Sequence, residues 1–286
     1  MLIVEKNYYI IYNKIYRCGE IMEKIAIISD VHGNITALKA VFDDIEKRNI
    51  KRVFCLGDIT AKLPNSDLVI DMIKEKCEVV LKGNCDEIIS SPEIKKGRFW
   101  TRDRIGEKRA EYLYNLPVMY EFYLSGHLIR LFHSSPFSLS HIFNPMFKNI
   151  NTKYKDIQIS SPDKLFENTE FIGKTSDDKI PDMIGYGHLH TPNIFRWKNK
   201  TIFNPGSVGA PTEMLNDYEV DETSKFSTMA SYIILEGEYD SKCLSGISIN
   251  LVRVLYDIEK EIENLRKSDM PGKEDSIQML RSAWPY

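Results

Sequence analysis

Two short segments of the chain carry metal-binding side chains two residues apart. Asp30 and His32 follow one apolar run, and His188 and His190 follow another. In an extended strand, residues two apart point to the same side, so the side chains of each pair are predicted to reach one shared site. Carboxylate and imidazole groups are ligands of divalent metal ions in proteins.

Three further segments add donors of the same kind, each after an apolar run: Gly57-Asp58, Gly83-Asn84-Cys85-Asp86 and Phe132-His133. With them the chain offers enough candidate ligands for two metal ions: Asp30, His32, Asp58, Asn84, His133, His188 and His190. Because this set needs no thiolate, it suits Mn²⁺, Fe, Zn²⁺ or Ni²⁺ in a hydrolytic site better than a structural zinc.

The composition is that of an ordinary soluble globular protein. The 286 residues are 43% hydrophobic and 28% charged, with a net charge of −3, which indicates neither a nucleic-acid nor a membrane-surface partner. No apolar stretch approaches the roughly 20 residues that span a bilayer. The 5 cysteines are scattered and odd in number, so reduced thiols and a cytoplasmic location are predicted.

The first 21 residues are predicted to be an extension outside the folded domain. Charges at Glu5, Lys6 and Lys14 interrupt the apolar residues, so the segment lacks the apolar middle and the cleavage point of a secretory signal. Met22 leads directly into the first apolar run, and we predict that translation starts there. A frayed N-terminal arm is the alternative.

Strand and helix signals alternate in the first third of the chain, which predicts a parallel sheet with its site at the carboxyl ends of the strands. Strands are predicted at 25–29, 52–56 and 78–81, with helices after Asn34, from Ser66 and over 104–115. Later strands are predicted at 118–124, 128–132, 183–186, 194–197, 201–203, 229–235 and 247–255, before a closing helix at 256–266. The economical architecture is an α/β fold of two mixed sheets packed face to face, with helices on the outer faces.

A single domain is predicted over residues 22–266, with a long insertion at 134–180 and a polar tail at 267–286. Aromatic residues of the insertion, among them Phe137 and Phe143, either stack on a nucleobase or pack the insertion onto the body of the protein.

The order of the motifs, D-x-H, G-D, G-N-x-D, H and G-H-x-H, resembles that of the calcineurin-like metallophosphoesterases over about residues 25 to 209. The segment N-P-G-S-V-G at 204–209 is similar to the one that follows the last histidines in bacterial and archaeal YfcE-like phosphodiesterases and in symmetrical diadenosine tetraphosphatases. The resemblance implies an α/β/β/α sandwich and a hydrolase acting on phosphoric ester bonds.

Carried onto this sequence, the resemblance implies two divalent metal ions, with Mn²⁺ favoured over Fe, Ni²⁺ or Zn²⁺. The first ion would be held by Asp30, His32 and His190, and the second by Asn84, His133 and His188. Asp58 would bridge the two ions, and a hydroxide between them would attack the phosphorus. The residues assigned to catalysis are Asp58, Asn84, His133 and Asp86.

Three neighbours of the ligands receive roles as well. Asp86 is predicted to orient a ligand or the Asn84 backbone, with a plain helix cap as the alternative. Asn34 is predicted to cap the first helix and to contact the substrate. Cys85 is also assigned to substrate binding, or else it is a compact wall residue.

Cys85 stands where many relatives carry a histidine that protonates the leaving oxygen. A thiol, with an ordinary pKa of about 8.5, is a poor acid, and the absence of a strong acid affects poor leaving groups most. A phosphodiester or dinucleotide-polyphosphate hydrolase is therefore predicted. The alternatives are a phosphomonoesterase or serine/threonine protein phosphatase, or a catalytically inactive metal-binding protein.

The expected partner is a small phosphodiester or nucleotide, with no membrane and no specific nucleic acid. The sequence leaves a homo-oligomer open, because the apolar end at 283–286 covers either a neighbouring subunit or the protein's own core.

Overall fold

The computed structural model describes residues 22–94, 99–143, 145, 156–175, 179–214 and 224–283. The predicted N-terminal extension therefore lies outside the described residues. The strands within them are β1 (Glu23–Ile28), β2 (Arg52–Cys55), β3 (Val79–Val80), β4 (Met119–Leu124), β5 (His127–Phe132), β6 (Met183–Tyr186), β7 (Asn193–Trp197), β8 (Lys200–Asn204), β9 (Thr212–Met214), β10 (Ser224–Phe226), β11 (Met229–Gly237) and β12 (Ser248–Leu255). The α-helices are α1 (Ile35–Lys47), α2 (Ser66–Lys76), α3 (Asn84–Ser90), α4 (Trp100–Tyr114), α5 (Ile258–Lys267) and α6 (Lys273–Arg281).

The first sheet has the strand order β12-β11-β1-β2-β3. β1 pairs in parallel with β2, and β2 with β3, whereas β11 runs antiparallel to both β1 and β12. From the central strand β1, Ala26 and Ile28 point into a core covered by helices, while Ile25 and Ile27 point into the core between the sheets. All four side chains are fully buried, which explains why this segment is a continuous apolar run.

The second sheet has the order β4-β5-β6-β8-β7, with parallel pairs between β5 and β6 and between β6 and β8. Its inner face contributes Ile129, Leu131 and Phe203 to the core between the sheets. Phe54 of the first sheet meets Phe122 of the second edge-on, with ring centroids 5.4 Å apart. The predicted α/β sandwich of two mixed sheets packed face to face is confirmed.

Helices cover the outer face of the first sheet. The first of them, α1, begins after Asn34, whose side chain accepts a hydrogen bond from the Ala37 amide. The helix buries the apolar stripe that its 3.6-residue period predicts: Leu38, Val41, Phe42 and Ile45.

The described residues of the insertion pack on the outer face of the second sheet. Phe132 and Tyr186 of this face share a core cluster with Phe143 of the insertion, and Phe137 packs against the same cluster. The Phe143 ring meets the Tyr186 ring edge-on, with centroids 5.7 Å apart, and a short 3₁₀ helix follows at Pro162–Phe166. Phe137 and Phe143 were predicted either to stack on a nucleobase or to pack the insertion onto the body of the protein. In the structure they pack.

The segment predicted as a polar tail, 267–286, contains a packed helix, so that prediction is wrong for residues 273–281, which form α6. Ile277 and Leu280 lie three residues apart, which puts both on one face of the helix. This face packs with Leu63 and with Leu265 of α5 in a separate apolar cluster. Two apolar residues among many charged ones do not stand out as a helical pattern. Residues 284–286 lie outside the described part of the chain.

Two further findings concern the environment of the protein. Cys55, Cys77 and Cys85 are free thiols, as predicted, but Cys243 is disulfide-bonded, which contradicts the prediction that every cysteine is reduced. Sequence spacing does not reveal which distant cysteines meet in the fold. Within the described residues, no helix is both long and apolar enough to cross a membrane.

Candidate metal centre

The predicted ligands follow strands from both sheets; Asn84 is the first residue of α3, and the others lie in loops. β1 and β6 end before the ligands that follow them, so Asp30, His32, His188 and His190 lie beyond the strands. The strand-alternation argument for these two pairs is therefore wrong, although the four residues do come together. Tight turns after the strands, and not the strands themselves, bring them to one place.

Five ligands have a left-handed backbone, which is uncommon for residues other than glycine: Asp30 (φ 55°), His32 (φ 50°), Asp58 (φ 52°), His188 (φ 69°) and His190 (φ 63°). Such a conformation costs roughly 1–3 kcal/mol per residue, so surrounding contacts must hold it. The Asp30 amide donates to the Gly57 carbonyl at 2.9 Å, and the His32 amide donates to the Asp58 carbonyl at 3.0 Å. These bonds join the loop after β1 to the loop after β2.

Asp30, His32 and His190 form the first group of ligands. The Nε2 atoms of the two histidines are 3.0 Å apart, and Asp30 Oδ1 lies 3.3 Å from His190 Nε2 and 3.8 Å from His32 Nε2. All three residues are buried, and Asp30 Oδ1 has no hydrogen-bond partner in the described part of the chain. Three donor atoms thus face one point in the interior.

The tautomers of these histidines follow from their other ring nitrogens. His32 Nδ1 donates to the Thr60 carbonyl at 3.0 Å, and His190 Nδ1 donates to the Ala210 carbonyl at 2.8 Å. Because a carbonyl oxygen only accepts, each Nδ1 carries the proton and each Nε2 presents a lone pair. Two lone pairs and a carboxylate oxygen this close together repel one another unless a cation lies among them. These residues therefore fit a metal ion.

Asp58, Asn84, His133 and His188 form the second group. Asn84 Oδ1 lies 3.0 Å from His133 Nε2, and His133 Nδ1 donates to a backbone carbonyl at 2.9 Å, so in the neutral ring Nε2 presents a lone pair beside the Asn84 oxygen. Asp58 Oδ1 lies 3.5 Å from His133 Nε2, and Asp58 Oδ2 lies 3.7 Å from His32 Nε2. The two oxygens of Asp58 therefore face different groups of ligands.

His188 reaches the second group from the loop after β6. Its ring centroid lies 5.3 Å from that of His133, and its amide donates to Asp30 Oδ2 at 3.0 Å. The structure thus brings all the predicted ligands together, in two groups that share Asp58.

Burial sets the protonation of several ligands. It lowers the pKa of His188 to about 3 and that of His32 well below its usual range, so both rings are neutral and able to bind a cation. Burial by itself would raise the pKa of Asp30, but the neighbouring histidines, His190 foremost, together lower it. Burial by itself would lower the pKa of His133, but the neighbouring carboxylates outweigh it and raise this pKa.

Asp86 binds the backbone that carries the ligands. It is fully buried, and its carboxylate accepts hydrogen bonds from the amides of Gly83 (3.1 Å), Ile59 (3.0 Å) and Thr60 (3.1 Å). The same side chain therefore caps α3, which was the predicted alternative, and also binds the turn after β2 that carries Asp58. Burial raises the pKa of Asp86 to about 6.

Cys85 lies beside the centre. Its amide donates to Asp58 Oδ1 at 2.8 Å, and its sulfur, a His32 nitrogen and an Asp58 oxygen all lie within 4.8 Å of one another. Burial raises the pKa of the thiol, so Cys85 is protonated at neutral pH. Cys85 is therefore a wall residue next to the ligands. Its contact with a substrate remains a proposal.

The contact of Asn34 with the substrate stays a prediction, and both polar groups of this side chain make hydrogen bonds within the protein. Asn34 is fully buried; its Oδ1 accepts from the Ala37 amide at 2.9 Å, and its Nδ2 donates to the Gly209 carbonyl at 3.0 Å. The helix-capping prediction is confirmed, and the second bond ties α1 to the loop before β9.

The segment 204–209 holds the first ligand loop, a role that the sequence did not reveal. The Ser207 hydroxyl donates to the Asp30 carbonyl at 2.6 Å. A Cβ on Gly209 would lie 1.7 Å from the Val31 carbonyl oxygen, so only glycine permits this close approach. The resemblance marked the segment as a motif, but its contacts with the first loop appear only in the fold.

The fold and the clustered donors define a class of protein, and a comparison with known families agrees. Residues 23–225 match the calcineurin-like phosphoesterase superfamily domain, so the chain belongs to this superfamily. The resemblance stated from the motifs is confirmed. Family membership and the ligand cluster together indicate a phosphoric ester hydrolase that uses divalent metal ions.

Individual relatives span nearly the whole chain. The uncharacterized protein MJ0912 of Methanocaldococcus jannaschii is 30% identical over 256 residues, which cover 86% of this chain and 93% of that protein. A metallophosphoesterase from Sphaerobacter thermophilus shares the fold with a TM-score of 0.64, at 21% identity over 92% of this chain and 100% of that one. The hypothetical protein PH1004 from Pyrococcus horikoshii OT3 gives a TM-score of 0.62, at 18% identity over 90% and 97% of the two chains.

Proposed function

We propose that the chain hydrolyses phosphodiester or dinucleotide-polyphosphate bonds with the aid of two divalent metal ions. The observation that carries the proposal is the contact between the Nε2 atoms of His32 and His190, which lie 3.0 Å apart. This contact calls for a cation, and Asp58 directs one oxygen towards His32 and the other towards His133, whose Nε2 lies 3.0 Å from Asn84 Oδ1. A dinuclear centre bridged by Asp58 satisfies both contacts at once.

Two adjacent divalent ions, when bound, supply the positive charge that activates water and stabilises a phosphoryl group under attack. The protein's own residues hold this charge in place. The Nδ1 bonds of His32 and His190 to backbone carbonyls fix the ring orientations, and Asp86 fixes the turn that carries Asp58. The raised pKa of Cys85 disfavours a thiolate nucleophile, which supports direct attack by water.

The environment of Cys85 supports a preference for stabilised leaving groups. A protonated thiol of raised pKa is a weak general acid, and general acid catalysis matters most when the leaving oxygen is strongly basic. Activated diesters and pyrophosphate bonds depend on it least. A phosphomonoesterase is the second candidate, because the same ligands suit that reaction.

We propose Mn²⁺ as the native metal, with Fe, Ni²⁺ and Zn²⁺ as alternatives. The ligands are nitrogen and oxygen donors, which these ions accept. Metal analysis of protein purified without chelators tests this choice, and two equivalents of one ion per chain are expected.

The decisive experiment compares a bis-aryl phosphodiester with an aryl phosphate monoester, using protein loaded with each of the four metals. The Asp58→Asn variant is expected to lose turnover by about 100-fold or more, because the charge between the two groups is gone. Asp71→Asn is the matched control, since Asp71 lies on α2 in an exposed ion pair with Arg109. ADP as the sole product from diadenosine tetraphosphate would favour the dinucleotide substrate. Absence of turnover with every metal and substrate would refute the proposal.

A further inference from the structure

A cleft opens on the outer face of the second sheet. It lies between the 3₁₀ helix of the insertion, the hairpin that joins β7 to β8, and the segment that leads into β6. The volume of the cleft is about 510 Å³, which lies within the range of roughly 300–1,000 Å³ of small-molecule sites in proteins. Both aromatic and charged side chains line it, so it is a candidate site for an organic ligand.

The cleft and the metal centre lie at opposite ends of β6. Lys200, which lines the cleft, immediately precedes Thr201, and Thr201 pairs with Met183 at the beginning of β6. His188 and His190 follow the other end of this strand, which is 4 residues long, or about 13 Å. A ligand in the cleft is therefore separate from the ligands of the ions.

Hydrogen bonds fix two walls of the cleft. Arg130, which is fully buried, donates to the Glu167 carbonyl at 3.0 Å and to Asn168 Oδ1 at 2.6 Å. On the opposite wall, Trp197 Nε1 donates to the Asp163 carboxylate at 2.9 Å. Because these bonds form within the protein, the cleft is pre-formed, which lowers the entropic cost of binding a ligand.

Aromatic rings form the apolar part of the lining. Phe166 and Trp197 both line the cleft, and the Trp197 side chain is only partly buried. Lys198 Nζ lies 5.3 Å from the centroid of the indole, but the Lys198 side chain is 66% exposed and is free to move aside. Ile180 at the rim is 62% exposed. An accessible indole beside an exposed apolar side chain suits a planar ligand that stacks on it.

The polar groups of the cleft offer donors as well as an acceptor. Asn168 Nδ2 has no partner among the described residues, since only Oδ1 of this side chain is used. Lys200 Nζ donates to the Pro181 carbonyl at 2.5 Å and lies 4.0 Å from Asp182 Oδ1, too far for a hydrogen bond, so donors of this ammonium remain. The exposed Glu167 carboxylate accepts no hydrogen bond within the described part of the chain. Such a set complements the edge of a nucleobase that has ring acceptors and an exocyclic amine.

We propose that this cleft binds a nucleobase with an exocyclic amine, such as the adenine of a nucleotide, at a site separate from the metal centre. The base stacks on Trp197, its acceptors face Asn168 and Lys200, and its amine faces Glu167. The two carboxylates and the two ammonium groups of the lining balance in charge, which suits an uncharged base. The inference goes beyond the proposed function, because this site needs neither the ions nor turnover.

The test titrates adenosine into the full-length, metal-loaded protein and follows both heat and tryptophan fluorescence. Adenosine carries no phosphate that could bind the ions. Inosine, which lacks the amine, and ribose, which lacks the base, are the matched ligands. Asn168→Asp keeps the oxygen that Arg130 binds and replaces the free donor by an acceptor. Asn49→Asp is the control, because it makes the same change at an exposed residue between α1 and β2.

Adenosine is expected to bind at one equivalent per chain, and ribose is expected not to bind. Inosine, and adenosine with Asn168→Asp, should each bind about tenfold more weakly, because a polar group is left without its partner. Trp197→Leu should weaken binding about tenfold through the loss of stacking. Trp197→Phe keeps a ring for stacking, so it should bind adenosine by calorimetry but lose most of the fluorescence change. Asn49→Asp should match the wild type.

Four outcomes overturn the inference: no binding of adenosine, equal binding of ribose and adenosine, equal affinities of Asn168→Asp and Asn49→Asp, or a fluorescence change that survives Trp197→Phe. The comparison of ligands uses the wild type, so it decides the inference even where a variant fails to fold. Ester hydrolysis enters none of these measurements, and the proposed function stands or falls separately.

Discussion

Asp30 holds a carboxylate oxygen in the protein interior without a hydrogen-bond partner in the described residues. The neighbouring Nε2 atoms of His32 and His190 offer lone pairs, because the protons are on their Nδ1 atoms. Buried acceptors without a donor destabilise a fold unless a cation satisfies them. The residues that would bind the ion therefore lower the stability of the fold when no ion is bound.

The same carboxylate predicts the behaviour of Asp30→Asn. Without metal, the variant should unfold at a temperature close to that of the wild type, because the substitution removes both the cost of burying the charge and the attraction of the neighbouring histidines, which lowers the pKa of Asp30. Mn²⁺ at 100 times its Kd should stabilise the wild type by about 2.7 kcal/mol and the variant much less. Thermal unfolding with and without Mn²⁺ measures both effects. Equal stabilisation of the two proteins by Mn²⁺ would show that Asp30 is not a ligand.

Cys85 predicts a change of substrate preference. In Cys85→His, an imidazole beside Asp58 can donate a proton to the leaving oxygen, which is worth roughly 10²–10⁴-fold where it operates. We expect the ratio of monoester to diester turnover to rise at least about tenfold. Cys85→Ser is the control, because a hydroxyl is no better as an acid than the thiol. Equal ratios in both variants would mean that the residue does not face the leaving group.

At the scale of elements, Glu261 links α5 to α1. It is fully buried, and its Oε2 accepts hydrogen bonds from the Thr36 hydroxyl at 2.6 Å and from the Asn264 amide group at 3.0 Å. Burial raises its pKa, against the opposing effect of these hydrogen bonds. The folded protein therefore holds the proton of Glu261 more tightly than the unfolded chain does.

The sign of this shift predicts how stability depends on pH. The protonated Glu261 contributes to the free energy of unfolding. This contribution is fully present below the pKa of the unfolded chain, about 4.3, and is lost as pH rises through the higher pKa of the folded protein. Glu261→Gln removes this dependence. The unfolding free energy of the wild type minus that of the variant should therefore fall as pH rises from about 4 and then level off. Urea unfolding from pH 4 to pH 8 measures it, and a constant difference would contradict the shift.

The elements that could be predicted from the sequence are those in which the spacing of apolar residues follows directly from which faces of the element are buried. β1 was predicted because both of its faces are buried, and α1 because its cap Asn34 precedes an apolar stripe with a helical period. The ligand types could be predicted because metal chemistry restricts them to a few residues.

The geometry of the centre could not be predicted in the same way. Asp and His adopt a left-handed backbone more often than most residues, but residue type alone could not place it at Asp30 and His190, since hydrogen bonds from distant loops hold it there. The contacts of Asp86 join two loops that meet only in the fold. The Lys62 carbonyl, in the loop after β2, accepts a hydrogen bond from the Ser276 hydroxyl of α6, which is distant from it in the sequence.

At the scale of the whole molecule, the ligands and a strand that holds their sheet together lie far apart in the sequence. All the predicted ligands precede Gly209, but β1 lies between β2 and β11, and Ile233 and Leu235 of β11 belong to the core between the sheets. A chain ending at Gly209 is therefore expected to lack cooperative unfolding and Mn²⁺ binding, although it keeps every ligand. Circular dichroism and metal titration measure this, and wild-type affinity in the shortened chain would contradict it.

The pairing of Ile25 with Leu235 also bears on synthesis by the ribosome. The emerging polypeptide exposes its ligands from Asp30 to His190 in order, long before the strand that must lie beside β1 has been made. Until that strand arrives, these side chains are separate donors on a flexible chain, open to whichever ion the cell offers most abundantly. Selection among competing metals thus falls to the completed fold and not to the nascent chain.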